Sequence, residues 1–105
     1  MRGEVWTVAG SGYATKPRPA VIIQNDAIAN INSTILCLIT TFNNPDISVR
    51  VNVEPSRRNG LEETSFVMVD KIVTVSSDKL GEKIGCLEQK YVRQIENCLK
   101  TLLFS

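Results

Sequence analysis

An arginine held between two prolines, in Lys16-Pro17-Arg18-Pro19, is the feature of this chain most suggestive of chemistry. Each proline fixes its own φ at about −65°, lacks an N–H, and pushes the residue before it away from helix. Lys16 and Arg18 are thereby held extended at the entrance to the apolar run Ala20-Val21-Ile22-Ile23. A guanidinium mounted this way offers a planar fork of N–H donors to an anion. The same Pro-Arg-Pro pattern also makes a good rigid turn.

The rest of the chemical inventory is narrow. The chain has no histidine, which removes the commonest general base, the commonest metal ligand and the Ser-His and Cys-His nucleophile pairs. Cys37, Cys86 and Cys98 are odd in number, show no C-x-x-C spacing and each sit in an apolar stretch. They read as reduced core thiols, ahead of a disulfide or a catalytic thiol. The acidic residues are scattered, without a calcium-loop or zinc pattern, and Ala9-Gly10-Ser11-Gly12-Tyr13 lacks the ending of a nucleotide-binding loop. Chemistry here rests on Arg, Lys, Asp, Glu, Ser, Thr and Tyr, with no protein-held metal and no cofactor.

The elements that must position these groups are mostly short strands. Residues 3–9 alternate and are rich in β-formers; 10–17 form a loop of glycine, serine and proline. Residues 20–25 are a β-branched apolar run too short for a buried helix, which predicts a central strand. Residues 26–33 are ambiguous, with room for one helical turn, and 34–41 are again β-branched. Asn43-Asn44-Pro45-Asp46 is a turn signal. Residues 48–53 alternate valine with polar residues, as a strand with one wet face does. Residues 54–64 form a polar loop containing Asn59-Gly60, and 65–75 form either one long strand or two joined by a bend at Asp70-Lys71. Ser76 to Leu80 can open a short helical turn capped by serine. The period then changes: Leu87, Tyr91, Ile95, Cys98, Leu99 and Leu102 mark an amphipathic helix, with Glu88, Gln89, Lys90, Arg93, Glu96 and Lys100 turned largely to water. The fold class is mainly β with one helix, a small antiparallel sheet or partly open barrel closed at the C-terminus.

Length and composition set the bounds. The 105 residues read as one domain, 1–105, and the 43% apolar content is ordinary for a globular protein. A net charge of +1 shows no gross basic bias, so any nucleic-acid contact must come from a local patch. The first residues lack the apolar stretch of a signal peptide and no run approaches a membrane span, so the expected location is the cytoplasm.

Several motifs taken together resemble the MazF/PemK family of toxin endoribonucleases. They are Arg2-Gly3-Glu4-Val5-Trp6, the stretch from Lys16 to Asp26, Ile35-Leu36-Cys37-Leu38-Ile39-Thr40, the stretch from Phe66 to Val75, and Ile84-Gly85-Cys86-Leu87-Glu88-Gln89. The resemblance runs along essentially the whole chain, and the first two motifs at this separation are its most specific part. It implies an SH3-like β-barrel with a C-terminal helix, a homodimer, and metal-independent cutting of single-stranded RNA at short sequence motifs. It also implies a cognate antitoxin whose flexible segment fills the RNA groove.

Carried across, the catalytic arginine of the family falls on Arg18 and the catalytic threonine on Thr40. Some relatives place a further arginine two residues before an aspartate. Here that position is Met68, although Asp70 is retained. The implied chemistry is attack of the RNA 2′-OH on the adjacent phosphate, with Arg18 stabilising the pentacoordinate phosphate and Thr40 donating a hydrogen bond to it. The proton acceptor is Asp70, Glu62 or a water. Tyr13, Lys16, Phe42 and Asp70 are the candidate RNA-binding residues, with Arg50, Arg57 and Arg58 as further groove candidates. Two other readings share this framework: a CcdB-like protein that inhibits gyrase by binding it, and an RNA-binding barrel without activity.

Overall fold

The computed structural model describes residues 1–9, 17–28 and 32–104. Of the expected loop at 10–17, residues 10–16, with candidates Tyr13 and Lys16, lie outside the described residues. Six strands form one antiparallel sheet: β1 Glu4–Val8, β2 Arg18–Ile22, β3 Ser33–Thr40, β4 Arg50–Val53, β5 Ser65–Ser76 and β6 Leu80–Cys86. Their order across the sheet is β4-β5-β3-β2-β1-β6. A 3-10 turn at Ser77–Lys79 precedes β6, and helix α1 runs over Gln89–Phe104.

β2 is central, as the apolar run predicts, but it begins at Arg18, two residues earlier than expected. Pro19 is tolerated inside it because β1 pairs with residues 18–21 while the ladder to β3 starts only at Ala20. No hydrogen bond toward β3 is therefore demanded of a residue without an N–H. The stretch 65–75 is one strand, the first of the two expected alternatives, with a break in its register against β3: Ile39 pairs Val67 while Cys37 pairs Ile72. β4 covers β5 only over residues 65–68.

The sheet is not closed by strand pairing; β4 and β6 are its edges. The loop after β4 seals the gap, with the Cys86 amide donating to the Arg58 carbonyl at 2.9 Å. Gly60 turns this loop with φ +71°, and a Cβ there would overlap the Ile84 carbonyl. Asn59, wholly buried, staples the loop. Its amide donates to the Glu54 carbonyl and to Glu88, while its Oδ1 accepts from the Ser56 and Leu61 amides.

Strand alternation sorts the residues onto two faces. One carries the main core: Val5, Val21, Cys37, Ile39, Val51, Val53, Val67 and Val69, packed with Leu61 and Leu87 under Tyr91, Val92 and Ile95 of α1. Each such side chain contributes roughly 1.5–3 kcal/mol on burial. Arg2 ties helix to sheet, donating to the Ile23 carbonyl and to Glu96. The expected helical stripe is buried at Leu87, Tyr91 and Ile95, and Val92 joins it, but Leu102 is exposed together with Leu103 and Phe104. The last turn lies beyond the packed face. Glu88 and Glu96 are bonded and not simply solvated. Ser76 makes no side-chain cap bond to the 3-10 turn.

Candidate active site

On the face away from α1, the registers align six residues into one row. β2 and β3 pair as Ala20 with Leu38, Val21 with Cys37 and Ile22 with Leu36. Arg18 and Thr40 lie two residues beyond the last pair of this ladder, at the neighbouring ends of β2 and β3, and alternation puts them on the face of Ala20 and Leu38. Val8 pairs with Arg18 and with Leu80 on one side. Thr40 pairs with Phe66, and Phe66 with Asn52, on the other. The row therefore reads Leu80, Val8, Arg18, Thr40, Phe66, Asn52, spanning all six strands. Directly opposed residues share a face, with Cβ atoms about 5 Å apart.

Arg18 is exposed at the start of β2 and has no hydrogen bond or ion pair among the described residues. Its fork is open to an anion. Thr40 ends β3 half-buried, and its Oγ1 accepts the Phe42 amide at 3.1 Å. That bond fixes the hydroxyl rotamer and leaves its proton free to donate. Phe42, 68% exposed, projects from the turn just beyond Thr40.

Asp70 stands apart from this row. It lies four residues along β5 from Phe66, about 13 Å for an extended strand. Arg50 grips it, with Nε on Oδ1 at 3.2 Å and Nη2 on Oδ2 at 3.5 Å. Burial would raise the pKa of Asp70, but the hydrogen bonds and charge of Arg50 outweigh it and hold the carboxyl below its ordinary value. A carboxylate so engaged is a weak proton acceptor. Glu62 lines a groove with Thr7, Pro19, Thr41 and Glu63. Thr7 and Pro19 alternate with Val8 and Arg18, so the groove opens on the other side of the sheet. Arg57 and Arg58 are exposed on the loop docked against β6 and the start of α1, away from the row.

The structure thus brings Arg18 and Thr40 to one face at neighbouring strand ends, sets Phe42 just beyond Thr40, ties Asp70 to Arg50 and puts Glu62 in a separate groove. It also adds Phe66 and Asn52, which the sequence reading passed over. The alternation in β4 and β5 already assigns both to the wet face. Their meeting with Thr40 depends on register, which pattern alone does not supply. Among the described residues no three Cys, Asp or Glu side chains converge as a metal site would require.

A small antiparallel sheet with one packed helix and an open arginine–threonine row defines the class of protein. Residues 1–103 match the family model described as PemK-like, MazF-like toxin of type II toxin-antitoxin system, and the chain belongs to that family. It is 32% identical over 103 residues to a probable endoribonuclease MazF of Mycolicibacterium smegmatis, covering 97% of this chain and 94% of the relative. It is 30% identical over 84 residues to an endoribonuclease MazF of Staphylococcus saprophyticus, covering 78% and 69%. A solved mycobacterial endoribonuclease in complex with its cognate antitoxin superposes with a TM-score of 0.83 at 28% identity, covering 98% of this chain and 93% of that one. No helix among the described residues is long and apolar enough to cross a membrane.

Proposed function

We propose that this protein is a toxin endoribonuclease that cuts single-stranded RNA at a short sequence motif without a metal. It acts in the cytoplasm as a homodimer, and a cognate antitoxin silences it. The relatives' activities support this reading, and the observation that carries it is Arg18, without a partner among the described residues, on the same sheet face as Thr40 at the neighbouring strand end.

The chemistry follows from what those groups can hold. The RNA 2′-oxygen forms a bond to the adjacent phosphorus while the bond from phosphorus to the 5′-oxygen breaks. Arg18 takes two phosphate oxygens through its fork as negative charge builds on the pentacoordinate centre. Thr40 donates a hydrogen bond from its hydroxyl to the same phosphate. Because the prolines and the β1 ladder already fix Arg18's backbone, little ordering is required on the way to the transition state. With Asp70 tied to Arg50, a water accepts the 2′-OH proton, and the departing 5′-oxygen takes a proton from solvent. The products are a 2′,3′-cyclic phosphate and a 5′-OH.

The test is incubation with a mixed-sequence RNA in EDTA, beside Arg18→Ala. Cutting at a recurring motif that vanishes in the variant supports the proposal. RNA left intact at high protein concentration overturns the enzyme reading and favours a protein-binding toxin. Cutting of a substrate carrying a 2′-deoxy at the scissile position would overturn the 2′-OH mechanism.

A further inference from the structure

We infer that Arg50, held in place by Asp70, is a second RNA-backbone contact of the site; this rests on the endoribonuclease reading above. Arg50 pairs directly with Met68 across β4 and β5, one step along from the Asn52–Phe66 pair. Arg50 and Asn52 therefore lie on the same face of β4 as the row that contains Thr40 and Arg18. The alternate residues Val51, Val53, Val67 and Val69 point into the core.

The side chain is presented in a particular way. Nε and Nη2 are occupied by the two oxygens of Asp70, and the Arg50 side chain is 10% exposed. Among the described residues no hydrogen bond engages Nη1, and no fully enclosed side-chain nitrogen lacks a partner, so Nη1 is not wholly shut off from solvent. One edge of the guanidinium is clamped by a carboxylate, which leaves the Nη1 edge for a further contact on the site's side of the sheet. An anchored arginine of this kind loses little conformational freedom when it meets an anion.

Position decides which anion. β2 and β4 are three strand spacings apart, about 14 Å, and Arg50 lies a further two residues along. That is too far for Arg50 and Arg18 to share one phosphate. An RNA strand that leaves Arg18 past Thr40 and the Phe66 ring would bring a flanking phosphate to Arg50. Met68, directly opposite, supplies no charge. Asp70 thus acts as a positioning residue whose part is to aim Arg50, and its depressed pKa is consistent with that role.

The experiment measures binding of a 2′-deoxy-substituted oligonucleotide by fluorescence anisotropy across a salt series, for the native protein, Arg50→Met, Arg50→Lys and the double variant Arg50→Met with Asp70→Asn. Loss of one phosphate contact should flatten the slope of log K against log salt by about 0.7. It should also weaken binding roughly tenfold. Arg50→Lys should keep the slope, since charge remains. In cleavage, Arg50→Met should raise KM more than it lowers kcat. The double variant leaves no unpaired carboxylate behind and covers the case in which Arg50→Met alone unfolds. An unchanged slope and affinity in a natively folded Arg50→Met or double variant overturns the inference. If the native protein cuts RNA and these variants match it, only this inference fails. If the native protein does not cut, the endoribonuclease reading itself has failed.

Discussion

The Phe42 amide donates to Thr40 Oγ1 at 3.1 Å, so this hydroxyl is an acceptor in its own turn and keeps its proton to donate. Thr40→Ser keeps both functions and should retain most of the cleavage rate. Thr40→Val keeps the shape and the strand preference but loses both, and kcat should fall by about 10²–10³ as for loss of an oxyanion donor. Fold stability should drop by only about 1 kcal/mol. Equal kcat for Thr40→Val and the native protein would remove Thr40 from the chemistry.

Glu88 should make stability pH-dependent. Burial alone would raise its pKa, but hydrogen bonds from Ser56, its own backbone and Asn59, with the charge of Arg58, leave it below the ordinary 4.5. The carboxylate therefore contributes fully above that value, and the contribution is lost as pH falls through the lower folded value. Glu88→Gln should cost about 1 kcal/mol at neutral pH, and the gap should shrink in acid. Urea titrations of both proteins at neutral pH and near pH 3 check this; a gap that stays constant would assign the loss to packing. Asn59→Ala, which removes the buried amide at the centre of the same network, should cost more at every pH.

Gly60→Ala should destabilise by more than about 1 kcal/mol, since the backbone is left-handed there and the new methyl would overlap the Ile84 carbonyl. Hydrogen exchange at the Cys86 amide, which bonds the loop carbonyl of Arg58, reports the damage directly. Unchanged protection would mean that the seam can shift to admit a side chain.

Cys37 should resist modification in the native state. Burial, reinforced by the charge of Asp70, pushes its thiol up to about 12, so near pH 8 only about one molecule in ten thousand carries the thiolate. Mass spectrometry after thiol-reagent treatment should find Cys37 unlabelled until urea is added. Labelling of the folded protein at the rate of a small thiol would show that the core opens readily around β3.

Much of this architecture was legible in the residues. Alternation and β-branching gave β1, β2, β3, β4 and the long β5, and the three-and-four spacing gave the helix. β6 was missed because Gly81 and Gly85 and two charged residues, Glu82 and Lys83, mask its alternation. The structure explains both glycines: a Cβ at Gly81 would overlap Thr7 Oγ1, and one at Gly85 would overlap the Arg58 carbonyl. A packing demand made by distant residues overrode the local strand signal. At the site, Arg18 was marked by its prolines, whereas the grip of Arg50 on Asp70 joins residues twenty apart through a register that periodicity does not encode.

The ladder between β1 and β6 joins Glu4 to Cys86, the first strand of the chain to its last. A ribosome that has reached Thr40 has already incorporated both Arg18 and Thr40, yet β1, which braces β2, still lacks its outer neighbour. β5, which braces β3, has not been made. The long-range closures that stiffen the row come late, because distant pairings require the intervening chain before any contact can offset its ordering. A rigid site is thus a product of the end of synthesis, and the nascent chain passes its own ribosome before that site is assembled.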